Sequence, residues 1–223
     1  MYGPKIKFAY DRGEKSGGRV EVELGSPADE VVAAKQFTEW INDNRIRLYL
    51  ATPAPCTESA EMDWVKNQNN RPDDLSWNIM IEGEMVGNIG LHRIDRTHRR
   101  AELGIMIGDK KRWGKGLAQA LEAVILDYAF SNIVAGGLNK VAAEVLDGNE
   151  PSRAAIKKCG FRDVAVRREH FWFFGRWYDA WEGEILASEW SKNRAKVMKA
   201  VGIKYLDLYC GCASEGFTPE KFD

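Results

Sequence analysis

The sequence predicts an α+β fold with a mixed, mostly antiparallel sheet flanked by helices, and two observations predict it. Strand-like segments follow one another in pairs that short polar or glycine-bearing turns connect, as in antiparallel hairpins. Helical segments interrupt these pairs without the regular strand–helix alternation of a parallel, doubly wound sheet. The 223 residues, 44% of them hydrophobic, suffice for one complete core. We therefore assign residues 1–190 to one domain and treat residues 191–223 as a C-terminal extension of unassigned role.

The charge balance argues against two classes of partner. The chain has 32 Lys and Arg residues against 33 Asp and Glu residues, which gives a net charge of -1. Without an overall positive field, we expect neither a nucleic acid nor an anionic membrane as partner. No apolar run approaches the ~20 residues that cross a bilayer, and the N-terminal segment lacks the apolar core of a signal peptide. We therefore expect a cytoplasmic protein.

The cysteines and histidines do not predict a metal site. The Cys210-Gly-Cys212 spacing is tighter than that of a zinc knuckle, and Cys56 and Cys159 lie far from it in sequence. The three histidines are scattered along the chain. We expect no metal, and reduced thiols without a catalytic role.

Two strands open the chain. They span Lys5–Tyr10 and Arg19–Leu24, and each alternates polar with apolar residues. The glycine-rich segment Arg12–Gly18 separates them as a loop. A first helix then begins after Ser26, a residue type that caps helix N-termini, with Pro27 at the first helical position.

This first helix is expected to end near Asn42. Asp29, three residues after Ser26, completes a pattern close to a capping box. The side chains that we expect to face the core are Val31, Val32, Phe37, Trp40 and Ile41. A second helix is predicted from Thr57 to about Asn69.

Three strands form the centre of the predicted sheet. They span Ser76–Glu82, Glu84–Ile94 and Arg100–Ile107, and the polar stretch Asp95–Arg99 closes the last two as a hairpin. The order of short strands joined by tight turns is the reason for expecting antiparallel pairing here.

A glycine-bearing loop and a long helix open the second half of the chain. The helix carries apolar residues at helical spacing, namely Leu117, Leu121, Val124, Ile125 and Tyr128. A strand over Lys140–Leu146 follows, then a short helix over Pro151–Lys158 that ends at Gly160. The last pair of strands spans Asp163–Trp172 and Trp177–Leu186.

The segment from Lys111 to Ala118 carries the strongest chemical signal. A strand enters a tight loop with Gly114 and Gly116, and the loop opens directly into the long helix. Such a loop can point several backbone N–H groups at one anion, and the helix dipole adds positive potential there. The segment therefore predicts a pyrophosphate-binding site. A Walker P-loop and a dinucleotide fingerprint both fail on glycine spacing.

This loop resembles a motif of the GNAT acetyltransferases, Gln/Arg-x-x-Gly-x-Gly/Ala. Lys111 stands where the motif has Gln or Arg, and Gly114 and Gly116 match its small residues. Downstream, Asn149-Glu-Pro-Ser152 and Cys159-Gly160-Phe161 resemble the family's second motif, an Asn-x-x-Ser helix that ends in Gly-Phe.

The chain also resembles the ribosomal-protein N-terminal (Rim-type) branch of that family. The segments that carry this likeness are Trp40-Ile-Asn42-Asp43, Asn88-Ile-Gly90-Leu, Arg100-Ala-Glu102-Leu-Gly104 and Gly175-Arg-Trp-Tyr-Asp179. They follow the family's order over roughly Arg19 to Trp190. The resemblance implies the GNAT (acyl-CoA N-acyltransferase) fold. It also implies acetyl-CoA as cosubstrate and direct acetyl transfer to a primary amine in a ternary complex.

The sequence leaves the acceptor open, because one fold hosts many acceptors. A protein N-terminus and a small-molecule amine both fit the resemblance. The alternative within the class is a small cationic amine such as an aminoglycoside, a polyamine or an amino sugar. The alternative outside it is a non-catalytic regulatory module that binds acyl-CoA.

The resemblance further implies which residues bind the cosubstrate. The backbone amides that would hold the pyrophosphate belong to Arg112, Trp113, Gly114, Lys115, Gly116, Leu117 and Ala118. The preceding strand would pair with the pantetheine arm, and a backbone N–H of Ile105 or Ile107 would stabilise the oxyanion. Asn149 and Ser152 would contact the pantetheine, or serve only as the N-cap and a solvent-exposed hydroxyl of their helix.

Three residues are candidates for proton transfer. Antiparallel partners keep a constant sum of residue numbers, so a turn near Arg96–Thr97 places His92 opposite Glu102 on one face. Either of these two residues can act as the general base. The family's usual tyrosine acid is replaced by Ile156, which leaves Ser152 as the candidate acid. The alternatives are a hydrogen-bonded imidazole at the core edge and a solvated carboxylate.

The C-terminal extension combines a basic helix over Lys192–Val201 with an unusually apolar segment, Ile203–Cys212. Left exposed, this segment would form an apolar patch of the kind that soluble monomers avoid. We therefore expect it to bury against a second copy in a homodimer. The alternative is a strand or helix that seals an edge of the domain itself.

Overall fold

A computed structural model describes residues 1–11, 18–27, 29–50, 55–133, 136–207 and 220–221. Within these residues one ten-stranded sheet runs through the molecule in the order β10-β9-β1-β2-β3-β4-β5-β6-β8-β7. The strands are β1 (Ile6–Asp11), β2 (Arg19–Gly25), β3 (Leu75–Ile81), β4 (Glu84–Asp95), β5 (Arg100–Ile107), β6 (Lys140–Leu146), β7 (Arg162–Phe173), β8 (Arg176–Leu186), β9 (Ile203–Asp207) and β10 (Glu220–Lys221). The loop predicted at Arg12–Gly18 lies outside the described residues except for Gly18.

The helices lie on the two faces of this sheet. They are α1 (Glu30–Asn42), α2 (Asn44–Leu50), α3 (Glu58–Asn67), α4 (Leu117–Asn132), α5 (Glu150–Lys158) and α6 (Ala187–Ala200). The larger apolar cluster contains buried residues of α4, α5 and α6, and the smaller one contains those of α1, α2 and α3. Neighbouring residues of β5 alternate between them: Ile105 and Ile107 pack against the larger cluster and Met106 against the smaller. No described helix is long and apolar enough to cross a bilayer.

The start of α1 corrects the prediction from the sequence. Asp29 rather than Ser26 is the N-cap, and its carboxylate accepts hydrogen bonds from the backbone of Val31 at 2.8 Å and Val32 at 3.2 Å. The helix begins later than predicted, and Val31 and Val32 are 58% and 64% exposed instead of core-facing. The residues buried in their place are Ala33 and Ala34.

The region between the first and second predicted helices also differs from expectation. A short helix that the sequence did not predict, α2, contains Arg45, Arg47 and Tyr49. The second predicted helix is confirmed as α3, with the Thr57 side chain accepting from the backbone of Ala60 as N-cap.

The C-terminal extension joins the same sheet. The boundary predicted after residue 190 falls inside α6, and β9 then pairs antiparallel with β1 at the sheet edge. Ile203 is 1% exposed and Leu206 is 2% exposed, so these two residues do not form the free apolar patch that motivated the predicted dimer. The rest of the apolar tail, from Leu208 to Cys212, lies outside the described residues. A homodimer stays a prediction.

The carboxylic acid of Glu122 lies fully buried in the core. The Glu122 side chain on α4 is fully inaccessible to solvent, and within the described residues its Oε1 has no hydrogen-bond partner. The Cys159 thiol donates to Oε2 at 3.7 Å. Burial raises the pKa of Glu122 well above the usual range, because the charged form loses its hydration in this position. Glu122 therefore stays protonated in the folded chain at pH values where the unfolded chain ionises it.

This proton linkage predicts that Glu122 imposes a pH-dependent cost on the free energy of unfolding. The substitution Glu122→Gln should remove this cost. The folded pKa lies above the unfolded value, so the cost is absent below the unfolded pKa. It grows by about 1.4 kcal/mol per pH unit above that value until the folded pKa is reached. Urea unfolding of both proteins at about pH 5 and pH 7 measures it, and the advantage of the variant should increase with pH. The exposed Glu84→Gln serves as control. If the free energy of unfolding changes equally with pH in the wild type and in Glu122→Gln, Glu122 is not a buried acid with a raised pKa.

Candidate active site

Two neighbouring strands separate in the middle of the sheet. β5 and β6 form the parallel pair of the sheet, and their register covers only Arg100–Glu102 against Lys140–Ala142. Beyond Glu102, β5 continues to pair with β4 as far as Ile107, whereas β6 continues to pair with β8. The two strands thus open a gap, and one edge of β5 has no strand partner in the described part of the chain.

The backbone groups at this open edge follow from the register. The backbone N–H of Gly108 donates to Val86 on the β4 side at 2.9 Å. Hydrogen-bonding directions alternate along an antiparallel strand, so the N–H groups of Ile107 and Ile105 point the other way, into the gap. The indole of Trp113 donates to the carbonyl oxygen of Ile107 at 2.8 Å. The gap therefore offers N–H donors in the geometry of an unpaired strand edge.

The loop after β5 ends at the N-terminus of α4. Gly114 and Gly116 have φ of 69° and 78°, in the left-handed region that favours glycine, and Gly116 is the N-cap of α4. A Cβ at Gly114 would meet nothing within 4 Å. The first backbone N–H groups of a helix have no intrahelical acceptor, and the helix dipole adds positive potential at them. This end of α4 can therefore hold an anionic group.

The structure narrows the set of predicted amide donors. The backbone N–H of Arg112 donates to the carbonyl of Asp109 at 3.0 Å, and that of Trp113 to the carbonyl of Lys110 at 3.2 Å. Both amides thus already donate inside a short 3-10 turn, and their binding of the pyrophosphate stays a prediction. The predicted donors that remain are Gly114, Lys115, Gly116, Leu117 and Ala118.

A cleft of about 370 Å³ adjoins the gap. Its lining comes from α2 and α3 on one side and from β4, β5, β6 and β7 on the other. The lining residues are Tyr49, Leu50, Trp64, Asn88, His92, Gly104, Ile105, Met106, Glu144, Leu146 and Phe171. Three of them are aromatic, and Glu144 is the one carboxylate among the lining residues in the described ranges. The cleft can accept a group with one positive charge and an apolar body.

The imidazole of His92 lies across the floor of this cleft. Gly90 and Gly104 face each other in the β4–β5 ladder, and the ring occupies the space that side chains there would fill. A Cβ at Gly90 would come within 2.9 Å of His92 Nε2, and a Cβ at Gly104 within 3.2 Å of the same atom. Two glycines on one rung of the sheet therefore make room for the ring and turn Nε2 toward the cleft.

His92 is placed in its neutral form. Loss of hydration in this half-buried position lowers the pKa of His92 below its ordinary value of 6.5, and the nearby Asp74 carboxylate opposes the shift. The Nδ1 atom lies 3.6 Å from Asp74 Oδ1. At neutral pH the imidazole is uncharged and can accept a proton.

The second predicted base has a different environment. Glu102 pairs with His92 across the ladder as predicted, but both oxygens of its carboxylate accept from Nη1 of Arg93 at 2.9 Å. The residue does not line the cleft. Glu144, which the sequence analysis did not single out, does line it, and its Oε2 lies 3.3 Å from His170 Nε2 and 3.5 Å from Arg167 Nη1.

The segment from Asn149 to Ser152, the second of the two motifs, forms the start of α5. The Asn149 side chain accepts from the backbone N–H of Ser152 at 3.3 Å and so caps α5. Neither residue lines the cleft that contains His92. Ile156, at the position of the family's usual acid, is buried in the core at 4% exposure. Ser152 as general acid and Asn149 as pantetheine ligand stay predictions.

Comparison with known proteins bears on this site. Residues 24–162 match the model of the acetyltransferase (GNAT) domain. This match includes β5, the glycine loop, α4 and the helix that Asn149 caps.

The curated relatives include two kinds of acetyltransferase. A Bacillus subtilis protein named as a ribosomal N-acetyltransferase, YdaF, is 28% identical over 188 residues, which cover 81% of this chain and 98% of the relative. The spermidine N(1)-acetyltransferase of Vibrio cholerae is 27% identical over 70% of this chain and 88% of the relative.

Solved structures share the fold. RimJ of Mycobacterium smegmatis in complex with CoA-disulfide superimposes with a TM-score of 0.72 at 20% identity, over 88% of this chain and 94% of that one. The spermidine N-acetyltransferase of Vibrio cholerae in complex with CoA and spermine gives 0.68 at 22% identity, over 76% and 98%. The predicted GNAT fold is confirmed.

The anion site predicts a charge-sensitive ligand effect at Gly114. CoA should raise the melting temperature of the wild-type chain, because a ligand that binds only the folded state stabilises it. Gly114→Glu should abolish the shift, since a carboxylate would occupy the anion site. Gly175→Glu is the matched control, because Gly175 has a similar φ of 75° and equally open surroundings in the β7–β8 turn. A thermal-shift titration with CoA measures all three. Equal shifts in both variants would refute the site.

Proposed function

The chain belongs to the acetyltransferase (GNAT) family, and we propose that it transfers the acetyl group of acetyl-CoA directly to a primary amine in a ternary complex. The observation that carries this proposal is the gap between β5 and β6. It lies beside the glycine loop on one side and opens to the His92 cleft on the other. One cosubstrate could therefore place its anionic end at α4 and its acyl end at the cleft.

The residues present fit acetyl-CoA. The backbone amides from Gly114 to Ala118 would bind the pyrophosphate at the positive end of α4. The open edge of β5 would pair with the amide groups of the pantetheine arm, as an added strand does. When bound, acetyl-CoA supplies an activated acyl group as a thioester.

His92 is the base that the geometry favours. An amine with a pKa near ~10 arrives protonated, so a group in the cleft must take a proton before the nitrogen can attack. Neutral His92 presents Nε2 toward the cleft, whereas the carboxylate of Glu102 is held by Arg93 outside it. The backbone N–H of Ile105 or Ile107 would donate to the oxyanion that forms as the C–N bond is made. The C–S bond then breaks, and the CoA thiolate takes up a proton.

We infer that the acceptor is the α-amino group of a peptide or protein. The cleft combines aromatic and aliphatic walls with one carboxylate, Glu144, in the described lining. Such a lining suits a single ammonium group next to an apolar side chain. The similarity to YdaF and to the Rim-type branch supports the same class of acceptor.

A small cationic amine is the second candidate acceptor. The relatives that are named spermidine acetyltransferases, and the carboxylate of Glu144, favour it. Against it, a polyamine has several charges, whereas the described lining of the cleft offers one carboxylate, Glu144.

The role of His92 predicts a change in the pH–rate profile. In the wild type, kcat/KM should fall only at acid pH, because the pKa of His92 lies below 6.5 and the imidazole stays neutral above it. His92→Gln should lose this acid limb and lower the plateau by about 100-fold or more. Glu102→Gln should change the plateau by only a few fold. Thiol release with a good acceptor measures both. If Glu102→Gln lowers kcat/KM more than His92→Gln does, Glu102 rather than His92 is the base.

The acceptor class is tested by an amine panel. We expect steady thiol release from acetyl-CoA with short peptides that have a free, apolar N-terminal residue, and much lower kcat/KM with spermidine, spermine, aminoglycosides and glucosamine. Peptides with a blocked N-terminus and an internal lysine are the matched control. A preference for polyamines would select the second candidate. CoA binding without turnover on any amine would favour a regulatory module instead.

A further inference from the structure

The carboxylate of Asp74 holds three groups together just before β3. Its Oδ1 accepts from the backbone N–H of Arg93 at 3.1 Å and lies 3.6 Å from Nδ1 of His92. Its Oδ2 lies 3.2 Å from Nη1 of Arg71. The side chain is 18% exposed. One oxygen of Asp74 is thus directed at both the histidine ring and the backbone next to it.

The backbone of β4 is distorted at the place where Asp74 approaches. The β4–β5 register shifts between His92 and Asp95, and Arg93 has a φ of 51°, in the left-handed region. A non-glycine residue in this region is strained, and such strain persists where the surroundings fix it. Here the N–H of Arg93 bonds to Asp74. The hydrogen bond at this irregularity therefore links Asp74, just before β3, to Arg93, the residue next to His92.

We propose that Asp74 is a positioning residue that keeps Nδ1 of His92 protonated and leaves the Nε2 lone pair facing the cleft. The inference rests on the proposed function only for its catalytic consequence. A carboxylate accepts hydrogen bonds and does not donate them, so Asp74 favours the tautomer of His92 that carries the hydrogen on Nδ1, the ring atom 3.6 Å from Oδ1. The other ring nitrogen, Nε2, lies above Gly90 and Gly104. In the proposed reaction this is the atom that accepts the proton. Which nitrogen is protonated follows from the partner of the other one.

The charged groups around His92 determine the direction in which the pKa of His92 moves when Asp74 loses its charge. Asp74 and Arg71 face it from the segment before β3, Glu102 from β5, and Glu144 lines the same cleft from β6. The residues that α2 and α3 contribute to the cleft are uncharged. Burial lowers the pKa of His92 and Asp74 opposes this shift, so removal of the Asp74 charge should lower the pKa further.

The test compares Asp74→Asn with Asp73→Asn. Asparagine at position 74 keeps the size of the side chain, and with its amide oxygen turned to Arg71 it presents its NH2 group to Nδ1 and can donate a hydrogen there, which reverses the tautomer. Asp73 is the matched control, since its exposed carboxylate pairs with Arg96 and does not contact His92. In Asp74→Asn we expect kcat/KM to fall at least tenfold and its acid limb to move to lower pH, while CoA affinity is unchanged. Asp73→Asn should match the wild type.

A readout without activity separates this inference from the proposed function. The chain has three histidines, so ¹⁵N chemical shifts can be assigned to His92 in each variant. We expect the Nδ1–H tautomer in the wild type and in Asp73→Asn, and the Nε2–H tautomer in Asp74→Asn. The Nε2–H tautomer already in the wild type, or no change in Asp74→Asn, would overturn the positioning role. If the tautomer reverses but His92→Gln retains activity, the positioning role stands and the assignment of the base fails.

Discussion

The site depends on one constraint, the three-residue limit of the parallel pairing between β5 and β6. A strand edge inside a domain must satisfy its backbone N–H and C=O groups. β5 does so against β4 along its whole length, but against β6 only over Arg100–Glu102. Past this point the edge of β5 is open to side chains such as the Trp113 indole, to water or to an added extended chain. An extended chain with amide groups, such as pantetheine, meets that requirement.

The same constraint connects the open edge of β5 to the candidate anion site. β5 ends at Ile107 and α4 begins at Leu117, so the open edge leads through the glycine loop to the helix N-terminus. Gly108, at the exit of the strand, packs so closely on Trp40 that a Cβ would come within 1.9 Å of the indole. That contact ties α1, on the cleft side, to the strand end. The end of β5, where the glycine loop begins, is therefore packed directly against α1.

The sequence predicted what is local and missed what is not. The hairpin of β4 and β5 closes within a few residues, so the pairing of His92 with Glu102 followed from the position of its turn and is confirmed. Strand β6 was located correctly. Its register against β5 was not readable, because a long helix separates the two strands and nothing local sets a parallel alignment. Glu144 was missed for this reason. The exposure of Val31 and Val32 was missed because two capping residues lie three positions apart, and the later one begins the helix.

Two titratable side chains on one rung of the sheet, His92 and Glu102, have different surroundings. Glu102 lies beside an arginine that neutralises it in the open, where solvent screens the pair and little is gained beyond orientation. His92 lies above two glycines, loses part of its hydration and has a carboxylate behind it. Where neighbouring groups experience such different environments, the less hydrated and neutral one suits proton transfer. The sequence could not distinguish these surroundings, because Arg93 and Asp74 meet at an irregularity of β4 that no local pattern predicts.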